Sequence, residues 1–121
     1  MERKEFYKQL KSFLKELVIV FPEDDEDLQI VTTSLNLAII DDQNYDIIKK
    51  FHKALYPVER EVFNRDTYIF DCIDWEKSSY EYRLFIKLKQ QWSTFTENNK
   101  HVIWEYIVLL YTLSKQSLTL R

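Results

Sequence analysis

Not one glycine occurs among the 121 residues of this chain. Average usage would supply about eight. Glycine is the residue a backbone uses for positive φ and for close approach to a ligand. Without it there is no Walker-type phosphate loop, no dinucleotide-binding fingerprint, no kinase glycine-rich loop and no nucleophile elbow. Two-residue hairpins also lose their preferred turn residues, although Asn can substitute. The missing glycine therefore argues against β-rich folds and against nucleotide-binding enzymes together. Only two Ala and two Pro accompany it, whereas Ile, Lys, Phe, Tyr, Asn and Asp are abundant. Ala, Gly and Pro have GC-rich codons, so the bias points to an AT-rich genome. Such a genome removes dispensable glycines but not one that a phosphate loop requires.

What remains is a chain patterned for helices. Phe6, Leu10, Phe13, Leu14, Leu17 and Phe21 recur at spacings of three and four, which predicts a first helix from about Glu2 to Phe21, ended by Pro22. The acidic run Glu23 to Asp27 suits a helix N-terminus, with Asp24 or Asp25 as cap. The second helix then runs to about Ile40 and buries Leu28, Val31, Leu35, Ala38 and Ile39. After the polar break Asp41 to Asn44, with Asn44 as cap, a third helix carries Ile47, Ile48, Phe51 and Leu55. Pro57 fits the first position of a short fourth helix through Val62 and Phe63. Residues 64–77 have no helical period and read as an extended loop that packs its aromatics on the core, with room for a short helix. Ser78 or Ser79 caps a fifth helix with Tyr82, Phe85, Ile86, Lys89 and Trp92 or Phe95 on one side. Thr96 to Asn99 is a turn. The last helix, about Asn98 to Lys115, directs Trp104, Ile103, Tyr106, Ile107, Leu110 and Leu113 inward, and residues 115–121 form a frayed tail. The fold class is all-α: one domain, 1–121, built as a bundle or small array of five to six helices.

The 45% hydrophobic and 31% charged content is that of a globular domain. The length suffices to bury one core without staples. Cys72 is the only cysteine, so no internal disulfide forms and a reducing compartment is implied. The net charge of −3 gives no general attraction to nucleic acid or anionic membrane. The charged N-terminus lacks the apolar stretch of a signal peptide, and no apolar run approaches the roughly 20 residues of a membrane span.

Three segments carry a resemblance. They are Phe6 … Phe13-Leu14-Lys15-Glu16-Leu17 … Phe21-Pro22-Glu23; Leu55-Tyr56-Pro57 … Asn64-Arg65-Asp66 … Phe70; and Lys100-His101-Val102-Ile103-Trp104-Glu105-Tyr106 … Leu109-Leu110-Tyr111. Together they resemble small α-helical proteins of nucleocytoplasmic large DNA viruses, the giant viruses of protists. The resemblance implies a viral origin and a place in the host cytoplasm or the virion. It attaches no catalytic residue.

The residues that bear chemistry have mostly structural readings. Glu23 to Asp27 lacks the alternating ligands and glycine of a calcium loop. Asp41, Asp42 and Asp46, and likewise Asp66, Asp71 and Asp74, sit in breaks between helices, where aspartate serves turns and caps. His52, His101 and Cys72 fall short of a zinc ligand set and show no nucleophile-pair spacing. No metal, cofactor or catalytic residue is expected. Two patterns remain. Lys4, Lys8, Lys11 and Lys15 repeat at four, three and four on one face of the first helix, a stripe suited either to phosphates or to solvation. Trp75, Tyr80, Trp92 and Trp104 belong to an aromatic-rich second half, and Trp and Tyr are common interface anchors. The leading expectation is a non-catalytic protein-interaction or assembly protein. It presents a helical aromatic surface made of those four residues to a viral or host protein or to itself. The alternative is a nucleic-acid-associated protein using the four lysines. Neither reading needs a membrane or a small-molecule cofactor.

Overall fold

All six expected helices are present in the computed structural model, which describes residues 2–21, 25–42, 45–73, 75 and 79–119. They are α1 (Glu2–Val20), α2 (Glu26–Ile40), α3 (Asp46–Leu55), α4 (Glu59–Phe63, entered through a 3-10 turn at Tyr56–Val58), α6 (Tyr80–Gln91, followed by a 3-10 turn at Trp92–Thr94) and α7 (Glu97–Thr119). Between α4 and α6 lies one further turn of helix, α5 (Ile69–Cys72). Among the described residues there is no strand.

Local chemistry sets most boundaries. The Asp25 carboxylate accepts the Leu28 N–H (2.9 Å) and caps α2. Ser79 Oγ accepts the Tyr82 N–H (3.1 Å) and caps α6. Thr96 Oγ1 accepts the Asn99 N–H (3.1 Å), so the segment read as a turn is the start of α7. Asn44 lies outside the described residues. The Asp42 carboxylate takes the Asp46 N–H (2.8 Å) and Ile47 N–H (3.0 Å) at the start of α3 and also accepts the Tyr7 hydroxyl from α1. Pro57 occupies the first turn of its 3-10 segment, where its missing N–H costs nothing.

Packing runs in the order α6, α2, α1, α7, α3, with α5 against α6 and α4 against α7. The stripe of α1, from Phe6 to Phe21, is buried throughout. Two stripes and the tail differ from expectation. In α2 Thr32 is buried and Ala38 exposed, because α2 packs on both α1 and α6 and its inner face rotates toward Leu28, Thr32 and Leu35. In α6 the buried set is Glu81, Leu84, Phe85 and Leu88, while Lys89 is exposed. The tail is not frayed through Thr119: α7 continues to that residue, Ser117 is buried and donates to the Leu113 carbonyl (2.8 Å), and Leu118 packs on the core.

Phenylalanine and tryptophan do much of the filling. Ring contacts run from Phe6 to Phe51, Trp75, Phe85, Phe70, Trp92, Phe95 and Phe21 at centroid separations of 5.1–6.2 Å. This run of rings thus begins on α1 and ends at Phe21, the residue just after it. Large rings in edge and tilted contact close the spaces between helices.

Candidate interaction surface

The four aromatic residues expected to form a partner surface do not share one. Trp75 and Trp104 are core residues, 7% and 5% exposed, and Trp92 is half-buried against Phe70 and Trp104. Only Tyr80 is exposed, lying near the Arg83 guanidinium. The reason is volume: Trp92 and Trp104 pack on Phe70 of α5, and Trp75 fills the space between Phe51 of α3 and Phe85 of α6.

Lys4, Lys8, Lys11 and Lys15 are all exposed. At about 100° per residue they lie within about 60° of arc on α1, and Glu5 and Glu16 lie about 100° round the helix from their midline. None of the four lysines forms an ion pair among the described residues. The positive row stands on a chain whose net charge is negative, with Glu5 three residues before Lys8.

The row borders a groove between α1 and α2. One hollow of about 570 Å³ is lined by Lys11, Lys15, Val18 and Ile19 from α1 and by Thr32 and Asn36 from α2. A second of about 670 Å³ is lined by Lys4, Tyr7, Lys8, Lys11, Ile39 and Ile40. Both include Lys11 and Ser12, so they form one trough along α1.

Beside the groove, the outer face of α2 is also apolar. From Leu28 to Ile40 the chain carries no charged residue. Ile30, Leu37 and Ile40 are 54%, 60% and 71% exposed, and with Thr33 they make a row at spacings of three, four and three. A helix apolar on both faces is normally one that is covered on both. The signal was available as apolar residues lying off the buried stripe in an uncharged segment. Across the groove on α1, Val18 and Ile19 are exposed as well.

The other polar clusters join elements of the fold. Glu59 Oε1 accepts from the Tyr111 hydroxyl (2.7 Å) and Lys115 Nζ (2.6 Å), tying α4 to α7. Burial and the Glu59 carboxylate push the Tyr111 phenol far up, and Lys115 with Tyr111 holds Glu59 below the usual carboxylate range. His52 stacks on Tyr111 and Tyr56; burial lowers its pKa, with Lys115 adding and Glu59 opposing. Burial, aided by Glu61, raises the Cys72 thiol, which leaves little of the nucleophilic thiolate. Among the described residues no group of three His, Cys, Asp or Glu is placed to hold a metal ion, and no helix is long and apolar enough to cross a membrane. Against models of protein families, curated proteins and solved structures, the chain matches none.

Proposed function

We propose that this chain is a non-catalytic interaction or assembly protein of a large DNA virus, acting in the host cytoplasm or the virion, and that it binds a protein through the outer face of α2 and the adjoining part of α1. The observation that carries the reading is the exposed aliphatic row Ile30, Leu37 and Ile40 on an uncharged helix. Single exposed aliphatics are ordinary, but a row at helical spacing on one helix, with Val18 and Ile19 exposed on its neighbour, is of the kind that marks partner surfaces. The viral setting rests on the sequence resemblance alone.

The test is a tagged pull-down from infected cells, with and without nuclease, beside the double variant Leu37→Ser/Ile40→Ser. Protein partners that survive nuclease and are lost by the variant are expected. Partners unaffected by the variant overturn the choice of face.

A second reading, nucleic-acid association, is favoured by the exposure of all four lysines. It requires capture that nuclease abolishes and that weakens steeply with salt. The apolar floor beside the lysines counts against it, since phosphate-tracking surfaces have little use for exposed isoleucine.

A further inference from the structure

We propose that the occupant of the α1–α2 groove is an acidic amphipathic helix of a partner protein; the inference rests on reading this face as an interaction surface. Three observations converge. The trough carries aliphatic side chains at Val18 and Ile19 of α1 toward one end and at Ile39 and Ile40 of α2 toward the other, with Thr32 and Asn36 between them, which suits the aliphatic stripe of a helix laid into it. One rim is a row of four exposed lysines at four, three and four spacing with no carboxylate partner among the described residues. That periodicity is itself helical and is complemented by Asp or Glu at spacings of three and four along a neighbouring helix. From Lys4 to Ile19 the trough extends about 22 Å, which matches about four turns of a helix.

The geometry also weighs against a second copy as occupant. No described helix of this chain carries three acidic residues at three or four spacing, so a second copy does not supply the complement. Asp27 is engaged by Arg83 (2.5 Å) and Lys87 (3.5 Å). Asp42 is held by Tyr7 and the α3 amides.

The experiment is a display selection of helix-forming peptides of about four turns against the full chain. The enriched peptide is then measured by fluorescence anisotropy. Enriched sequences are expected to carry an acidic row beside an aliphatic row. The variant Lys8→Glu/Lys11→Glu, checked by circular dichroism for an unchanged fold, should weaken binding about tenfold or more. A peptide with its acids exchanged for lysine should bind that variant and not the wild type. Enriched peptides without an acidic row, equal binding to the charge-reversed variant, or no enrichment overturn the proposal. So does tighter, lysine-dependent binding of a duplex oligonucleotide or of phosphatidylserine vesicles, or a dimer that the same variant dissociates. If the Leu37→Ser/Ile40→Ser variant still loses its nuclease-resistant partners while the peptides fail, the surface stands and only this occupant falls.

Discussion

Tyr45 and Arg65 hold left-handed backbone, with φ of 58° and 55°, at positions where most chains would place glycine. Arg65 ends α4: its N–H donates to the Val62 carbonyl (3.1 Å) and the Asp66 N–H to the Glu61 carbonyl (2.9 Å), the paired bonds of a Schellman exit. A side chain in that conformation costs about 1–2 kcal/mol. It is offset in part because the Arg65 guanidinium reaches Glu105 (2.7 Å) and His101 (3.0 Å) on α7. Tyr45 is similarly held, under the Arg3 guanidinium at 4.1 Å. Urea unfolding should therefore rank Arg65→Gly above Arg65→Ala by about 1 kcal/mol, since both lose the ion pair and only glycine relieves the backbone. Equal stabilities would show that the turn is unstrained. Trp75 makes a second case. Its Nε1 is buried with no hydrogen-bond partner among the described residues, and such a donor is costly to leave unpaired. Trp75→Phe should cost less than about 1 kcal/mol, far below the 3–5 kcal/mol typical of truncating a buried tryptophan to alanine.

Asp42 decides how α3 begins. One carboxylate serves two α3 amides and the Tyr7 hydroxyl, so Asp42→Ala removes a cap and leaves Tyr7 unpaired together. A loss of about 2 kcal/mol is expected. Tyr7→Phe should cost about half as much, because the cap survives. Chemical denaturation of the two variants measures both, and equal losses would mean that the Tyr7 contact carries the whole effect. Caps at Asp25 and Ser79 were legible because each lies within three residues of the amide it serves. Asp42 was not, since its partners lie four and five residues on and one comes from another helix. Residues 64–77 resisted reading for a related reason: α5 is a single turn with no period to detect. It is held by Ile69 and Phe70 packing inward and by the Asp66 carboxylate, which accepts the Tyr68 N–H (2.9 Å).

Between helices the molecule is tied by the Asp25–Lys87 ion pair, 3.0 Å long with both side chains largely shielded. Burial pushes the Asp25 carboxyl up, but the Leu28 amide and Lys87 outweigh it and hold the group below its ordinary value. A depressed carboxylate contributes stability above its unfolded pKa, about 4, and loses it as pH falls through the folded value. His52 is also depressed, so its contribution is complete above about pH 6.5 and declines as pH falls toward the lower folded value. Thermal melting across pH should therefore show two acid-side declines. Asp25→Asn should remove the share below about pH 4, and His52→Gln should flatten the one starting near pH 6.5. A variant that melts with the wild-type profile would refute its assignment.

The sequence by itself determined that the chain is helical, that α2 and α6 begin at the caps Asp25 and Ser79, and that the faces of α1 and α3 turn inward. Those features depend on spacings of three and four and on side chains that reach their own backbone. It also placed the four lysines on one exposed row. Only the tertiary structure decided that Trp75, Tyr80, Trp92 and Trp104 share no surface, that α6 buries Leu84 and Leu88, and that the lysine row borders a groove against α2. Helical periodicity fixes which residues share a face. Which of two apolar faces is covered depends on helices distant in the chain, and in α2 those neighbours leave the row from Ile30 to Ile40 exposed.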